Sequence, residues 1–120
     1  MSDTNLDIEK LKNLQFKIMK DVAASALIPL MRIGDQLGLF QKLSELGPIN
    51  SKKFAEEARV DERYLREWLY ALSATDFVSY DGEKEEFSLS PEQRAVFADE
   101  QGPANMMGAY EVLALSLIHI

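Results

Sequence analysis

The stretch Val60-Asp61-Glu62-Arg63-Tyr64-Leu65-Arg66-Glu67-Trp68-Leu69 decides how this chain folds. Asp61 is a residue type whose side chain accepts from the free amides of a first helical turn, and Val60 is spaced to pack on Leu65 as a hydrophobic staple. A helix therefore begins at Glu62. Its inner face is Leu65, Trp68, Leu69 and Leu72, and its outer face carries Arg63, Arg66, Glu67 and Tyr70. Glu62 with Arg66, and Arg63 with Glu67, stand one turn apart as ion pairs. Just upstream, Gly47-Pro48 is turn chemistry, and Ser51 is expected to cap a short helix that points Phe54, Ala55 and Ala58 inward.

Downstream of Asp76 the apolar period changes to two: Phe77, Val78 and Tyr80, an Asp81-Gly82 turn, then Phe87 and Leu89. Two helices at a tight turn followed by a hairpin is the order of a winged helix-turn-helix, with the hairpin as wing. Ser90-Pro91-Glu92-Gln93 then opens another helix through a capping box with Pro at its first position. Gly102-Pro103 breaks the chain, and Ala104 onward, with Met106, Met107, Tyr110, Leu113 and Leu117, returns to helical spacing.

Toward the N-terminus, Leu11, Leu14, Ile18 and Val22 recur at helical spacing among Lys10, Lys12, Lys17 and Lys20. Pro29 should kink or restart this helix. The restarted segment carries Leu27, Leu30, Met31, Gly34 and Leu37, and Gly38 suits the left-handed residue that closes a helix. A short helix with Leu39, Phe40, Leu43 and Leu46 leads into Gly47. The expected fold class is mainly α with a small β-hairpin, a winged helix-turn-helix with extra N-terminal helices.

Composition narrows the function. The chain has 120 residues, enough for one compact domain, and a 47% hydrophobic share that can fill its core. With 13 basic against 20 acidic residues the net charge is -7, which works against nucleic-acid backbones and anionic lipid. There is no cysteine, which removes disulfides, thiolate metal sites and thiol nucleophiles and is compatible with the cytoplasm. The polar, acidic N-terminus is unlike a secretory signal, and the longest nearly apolar run, 22–31, is far short of the roughly 20 residues of a membrane span.

A DNA-reading winged helix would present basic residues on its third helix and wing. Between Ser51 and Ser90 there are instead six basic and ten acidic residues, a net of -4, and the wing holds Glu83, Glu85 and Glu86. Nucleic acid is therefore not the expected partner. A winged-helix transcriptional regulator that binds DNA or a protein remains the alternative.

Three segments carry a family resemblance: Ile33-Gly34-Asp35-Gln36-Leu37-Gly38-Leu39-Phe40, then Asp61-Glu62-Arg63-Tyr64-Leu65-Arg66-Glu67-Trp68-Leu69, then Phe87-Ser88-Leu89-Ser90-Pro91-Glu92. Over roughly Leu30 to Met107 the chain resembles the N-terminal winged-helix domain of class I S-adenosylmethionine-dependent methyltransferases acting on small molecules. The middle segment is the most specific. The resemblance implies a dimerisation and substrate-covering role, a homodimer, and a parent enzyme using S-adenosylmethionine (SAM), held in a Rossmann-like domain outside this chain. No cofactor-binding residue carries over, because the six glycines never fall as Gly-x-Gly. The chain alone is expected to be catalytically incomplete.

On this basis 1–29 is an N-terminal helical dimerisation segment, 30–100 the winged helix-turn-helix domain, and 101–114 the start of a linker helix toward a catalytic domain. The last six residues, Leu115-Ser116-Leu117-Ile118-His119-Ile120, resemble one translated frame of a common transposase sequencing adapter, so 115–120 is expected to be a non-native tail. The alternative is an apolar helix that continues from Tyr110.

No catalytic or metal residue emerges from the remaining candidates. His119, the single histidine, has no partner nearby to orient it or share a ligand field. Glu56-Glu57 and Glu85-Glu86 are neighbours in exposed runs, not carboxylates held in contrasting environments. Met106-Met107 and Met19 with Met31 are expected to fill core gaps more than to line a ligand pocket. Phe16, Met19, Ala26 and Leu27 sit on helices rich in apolar residues for a small monomer. They form either a helix-exchange dimer interface or a local core.

Overall fold

The computed structural model describes residues 5–118. In chain order it contains α1 (Ile8–Ser25), α2 (Leu27–Gln36), α3 (Leu39–Leu46), α4 (Ser51–Ala58), α5 (Glu62–Ala74), β1 (Ser79–Asp81), β2 (Glu86–Ser88), α6 (Pro91–Phe97) and α7 (Met107–Ile118). The helices and the hairpin stand in winged helix-turn-helix order, as the residue pattern predicts.

The break near Pro29 falls four residues earlier, at Ser25. A proline ring clashes with the carbonyl four residues before it, which for Pro29 is that of Ser25, whereas proline is tolerated in a first turn. Helix α1 accordingly ends at Ser25, Ala26 intervenes, and α2 begins with Pro29 as its third residue. Gly38 is left-handed at φ 67°, as expected of a residue between two helices. A second left-handed residue, Arg59 at φ 58°, closes α4, and the Val60 amide donates back to the Ala55 carbonyl at 3.1 Å. This tight turn sets α4 against α5.

Three local expectations are corrected. Asn50, not Ser51, caps α4: its side chain accepts from the Lys53 amide at 2.8 Å, while the Ser51 hydroxyl donates to Glu62 Oε2 at 2.7 Å. Ser51 is a helical residue that ties α4 to the start of α5. Helix α7 begins at Met107, not Ala104, because the Asn105 side chain accepts from the Met107 amide at 2.9 Å and serves as the local cap. In the wing, the turn spans 82–85 and the positive φ falls on Glu85, at 54°, instead of Gly82. The Asp81 side chain accepts from the amides of Glu83 and Lys84 and holds that turn.

The hairpin pairs Ser79 with Ser88, Tyr80 with Phe87 and Asp81 with Glu86. On its other side Phe87 exchanges both backbone hydrogen bonds with Ile49, at 2.8 and 3.0 Å, so the segment before α4 adds a one-residue edge to the wing. Nothing in the alternation of apolar residues announces this bridge, since a single paired residue has no period.

The core is one cluster. Phe40 lies at its centre, its ring centroid 5.2 Å from those of both Trp68 and Phe97, with Leu43, Leu69, Leu72, Phe54 and Phe87 fully enclosed around it. The Trp68 indole N–H donates to the Leu30 carbonyl at 2.9 Å, which ties α5 to α2. Met31 and Met107 are buried here, whereas Met19 and Met106 are exposed, so only half of the methionines singled out fill core space.

Helix α1 stands apart from this core. Not one of its residues is buried. The radius of gyration is 17.8 Å, against roughly 13.6 Å for a compact chain of this length. Among the described residues, no helix is long and apolar enough to cross a membrane.

Candidate functional site

The site is built on α5 and the elements around it. Asp61 accepts from the amides of Arg63 at 2.9 Å and Tyr64 at 3.4 Å, so the helix starts where its sequence dictates. Leu65, Trp68, Leu69 and Leu72 are all buried, which turns Arg63, Arg66, Glu67 and Tyr70 outward. Arg66 lies 3.8 Å from Glu62 and Arg63 4.0 Å from Glu67, and each guanidinium thus faces a carboxylate on its own helix. Exposed pairs of this kind contribute little to stability, but their carboxylates offset the positive charge such a helix could offer to phosphate. The wing is no better suited, with Glu83, Glu85 and Glu86 around Lys84.

Among the described residues no group of His, Asp and Glu could hold a metal ion. His119 lies outside the described residues. Glu56, Glu57 and Glu85 are exposed and Glu86 is partly so, each beside its sequence neighbour and none facing a second carboxylate across a cleft. The cleft between α3 and α6, about 460 Å³, is lined by Gln41, Ser44, Glu45, Arg94 and Asp99 together with Pro91, Ala95 and Ala98. Its one buried atom without a hydrogen bond is Gln41 Oε1, while the Gln41 amide nitrogen donates to Glu100 at 3.1 Å. Among the described residues no acid or base is hydrogen-bonded to the Ser44 hydroxyl there.

The apolar surfaces are more informative. A groove of about 520 Å³ runs between α2 and α5, walled by Leu30, Ile33, Leu37, Val60, Tyr64 and Trp68. The two charged residues that line it, Asp61 and Glu67, are both acidic. Ile33, Leu37 and Tyr64 are 44%, 51% and 68% exposed. Sequence reasoning missed this groove. The signal was present, because Ile33 and Leu37 lie one turn apart and broaden the apolar arc of α2 beyond what one core face can cover.

The four residues proposed for a dimer interface separate in space. Phe16 and Met19 are among the most exposed apolar residues of α1, at 64% and 69%. Ala26 is exposed at the junction with α2. Leu27 belongs to the chain's own core, because the first turn of α2 already faces inward. The apolar stripe of α1, Leu11, Leu14, Ile18 and Val22, is exposed throughout, and at the other end of the chain so are Val112, Leu113 and Leu115 of α7. Tyr110 on α7 packs against the core, and burial raises its phenol pKa above 10.0.

A SAM site does not fit the residues present. The described residues form one two-stranded antiparallel hairpin and contain no strand that feeds a glycine-rich loop into a helix.

Comparison with known proteins agrees with the architecture. No curated protein sequence matches the chain. Solved structures do. The chain is similar to LepI in complex with SAM (TM-score 0.61, 18% identity, 74% of this chain and 25% of that one). It is similar to PigF with SAH (TM-score 0.61, 17% identity, 94% of this chain and 34% of that one). A third similar structure is a candidate O-methyltransferase from Nostoc punctiforme (TM-score 0.55, 21% identity, 92% of this chain and 31% of that one). At these identities the likeness is one of fold, and this chain spans only a quarter to a third of each structure. The family model for the Rv2258c-like winged HTH domain matches residues 23–98, from the end of α1 to the end of α6. That match takes in helices α2 to α5, the wing and the capped helix after it, and the chain belongs to the Rv2258c-like winged HTH domain family.

Proposed function

We propose that this chain is the N-terminal dimerisation and substrate-covering domain of a cytoplasmic, SAM-dependent methyltransferase acting on a small molecule. The observation that carries the proposal is the contrast between a closed winged-helix core and the two helices flanking it. Helices α1 and α7 leave that core with large apolar side chains exposed, among them Phe16, Met19, Val112 and Leu113. An apolar stripe left exposed along α1, and a helix as uniformly apolar as α7, belong inside a larger assembly. The fold shared with LepI and PigF, whose structures hold SAM and SAH, supports the same assignment.

In this scheme the chain itself binds no cofactor and performs no chemistry. It would cover a substrate seated on a Rossmann-like domain and bring two copies together. Regulation of DNA through α5 is disfavoured by the acidic partners of Arg63 and Arg66 and by the carboxylates of the wing.

The test is the reading frame of the parent gene, together with SAM binding by calorimetry. The expected result is a glycine-rich strand-loop-helix within about 100 residues downstream, a distance set by the size of one domain. The chain as it stands would give no heat with SAM, and the extended protein would bind it. A frame without that motif sinks the assignment. Sequencing the source DNA across Leu115 decides whether 115–120 is native.

A further inference from the structure

We infer that the cleft between the start of α4, the middle of α5 and the wing binds a compact phosphate group, carried by inorganic phosphate or by a small phosphate monoester. The cleft is about 330 Å³, walled by Asn50 and Lys52 at α4, Arg66 and Tyr70 on α5, and Lys84 and Glu85 on the wing. Three cations that lie far apart in the sequence therefore meet a single lining carboxylate, in a chain whose net charge is -7.

Their convergence is built into the backbone. The two hydrogen bonds between Ile49 and Phe87, at 2.8 and 3.0 Å, hold the segment before α4 against β2. The Ser51 hydroxyl, donating to Glu62 at 2.7 Å, fastens α4 to α5. On the wing, the Asp81 carboxylate accepts from the Glu83 and Lys84 amides at 3.0 and 3.3 Å and fixes the turn that carries Lys84. The Tyr70 and Phe87 rings, 5.6 Å apart, join α5 to β2 beneath it. A ligand thus meets elements already in place and does not have to order them.

The charges are available to it. Among the described residues, Lys52 and Lys84 form no ion pair. Arg66 stands 3.8 Å from Glu62 Oε1, outside hydrogen-bond reach, and the other Glu62 oxygen already accepts from Ser51. A phosphate monoester near neutral pH carries close to two negative charges and three terminal oxygens, one for each ammonium group and one for the guanidinium. A carboxylate, with one charge and two oxygens, would leave a cation unmatched. An extended nucleic-acid backbone fits worse, because Glu83 and Glu86 flank Lys84 and Glu56 lies one turn beyond Lys52, so successive phosphates would run onto carboxylates. The volume is at the small end of ligand sites, which run from about 300 to 1,000 Å³.

The test is a titration of the full, nitrogen-15-labelled chain with inorganic phosphate and, separately, with phenyl phosphate, at constant ionic strength set by chloride. The expected result is saturable shifts of the amides around Lys52, Arg66 and Lys84, with Kd on the order of 1 mM. Lys52→Gln and Lys84→Gln should each weaken binding roughly threefold, and Glu85→Gln should tighten it by roughly the same factor. Lys12→Gln on α1, which removes the same charge elsewhere, should leave Kd unchanged. All four side chains are exposed, and unchanged circular dichroism checks that each variant folds. Tighter binding of phenyl phosphate would identify a monoester as the ligand, and equal binding would identify phosphate itself. Shifts that grow without saturating and spread to the lysines of α1 overturn the site, as does a Lys12→Gln effect equal to that of Lys52→Gln. A short DNA duplex that binds more tightly than phenyl phosphate overturns the compact ligand.

Discussion

Replacing Gly34 with alanine should destabilise this protein, although the same change in an ordinary helix stabilises it. Gly34 sits in the middle of α2 and is buried. A Cβ added there would lie 2.6 Å from Phe40 Cε2 and 2.6 Å from Trp68 Cζ2. Neither ring is free to retreat. Phe40 has no exposed surface and is packed between Trp68 and Phe97, and the Trp68 indole is tied to the Leu30 carbonyl. Overpacking of this kind costs about 1–3 kcal/mol, and a strained indole hydrogen bond adds up to about 1 kcal/mol. The gain in helix propensity from glycine to alanine is about 1 kcal/mol. The balance is a net loss centred on about 1.5 kcal/mol, and Gly34→Val should lose more.

Urea unfolding followed by the fluorescence of Trp68, the only tryptophan, measures this at the site itself. The midpoint should fall by roughly 0.5–1 M with an unchanged slope. A double-mutant cycle makes the cause specific: in a Phe40→Leu background the same alanine should cost at least about 0.5 kcal/mol less, because the smaller side chain vacates the contact. A Gly34→Ala protein as stable as the parent, or more so, would refute the idea that close approach of α2 to these rings excludes a side chain.

Two further outcomes follow from the corrected cap and from the partly buried phenol of Tyr110. Ser51→Ala and Glu62→Ala should couple by about 0.5–1.5 kcal/mol in a thermodynamic cycle, because their side chains share a 2.7 Å hydrogen bond, whereas Asn50→Ala should cost about 1 kcal/mol and add independently to Glu62→Ala. Burial raises the Tyr110 phenol above 10.0, so the neutral form is favoured in the folded state. The stability this contributes is fully present below pH 10 and is lost as pH climbs through the raised value, so the urea midpoint should fall less steeply above pH 10 in Tyr110→Phe than in the parent. Equal slopes would remove the burial argument.

Much of the fold was legible without coordinates because its signals are local. Asp61 as cap, Val60 spaced to Leu65, the alternation around Tyr80 and Phe87, and the Ser90–Gln93 capping box each act within a few residues. Periodicity assigned Leu65, Trp68, Leu69 and Leu72 to the inside correctly, because one face of a helix either meets a core or meets water. Where two residue types competed for one local role, the pattern was ambiguous. Asn50 and Ser51 can both cap a helix, and the choice was made by Glu62, eleven residues further along the chain, which takes the Ser51 hydroxyl.

The candidate site was less legible, because it is defined by what is left uncovered. That α1 would be an amphipathic helix with lysines among its apolar residues is written in its sequence. That its stripe meets nothing on its own chain, that Leu27 turns into the core while Phe16 and Met19 do not, and that Ile33, Leu37 and Tyr64 wall an open groove are decided only by how α2 packs on α5. Periodicity says which side of a helix is apolar, and only the neighbours brought there by the rest of the chain decide whether that side is filled.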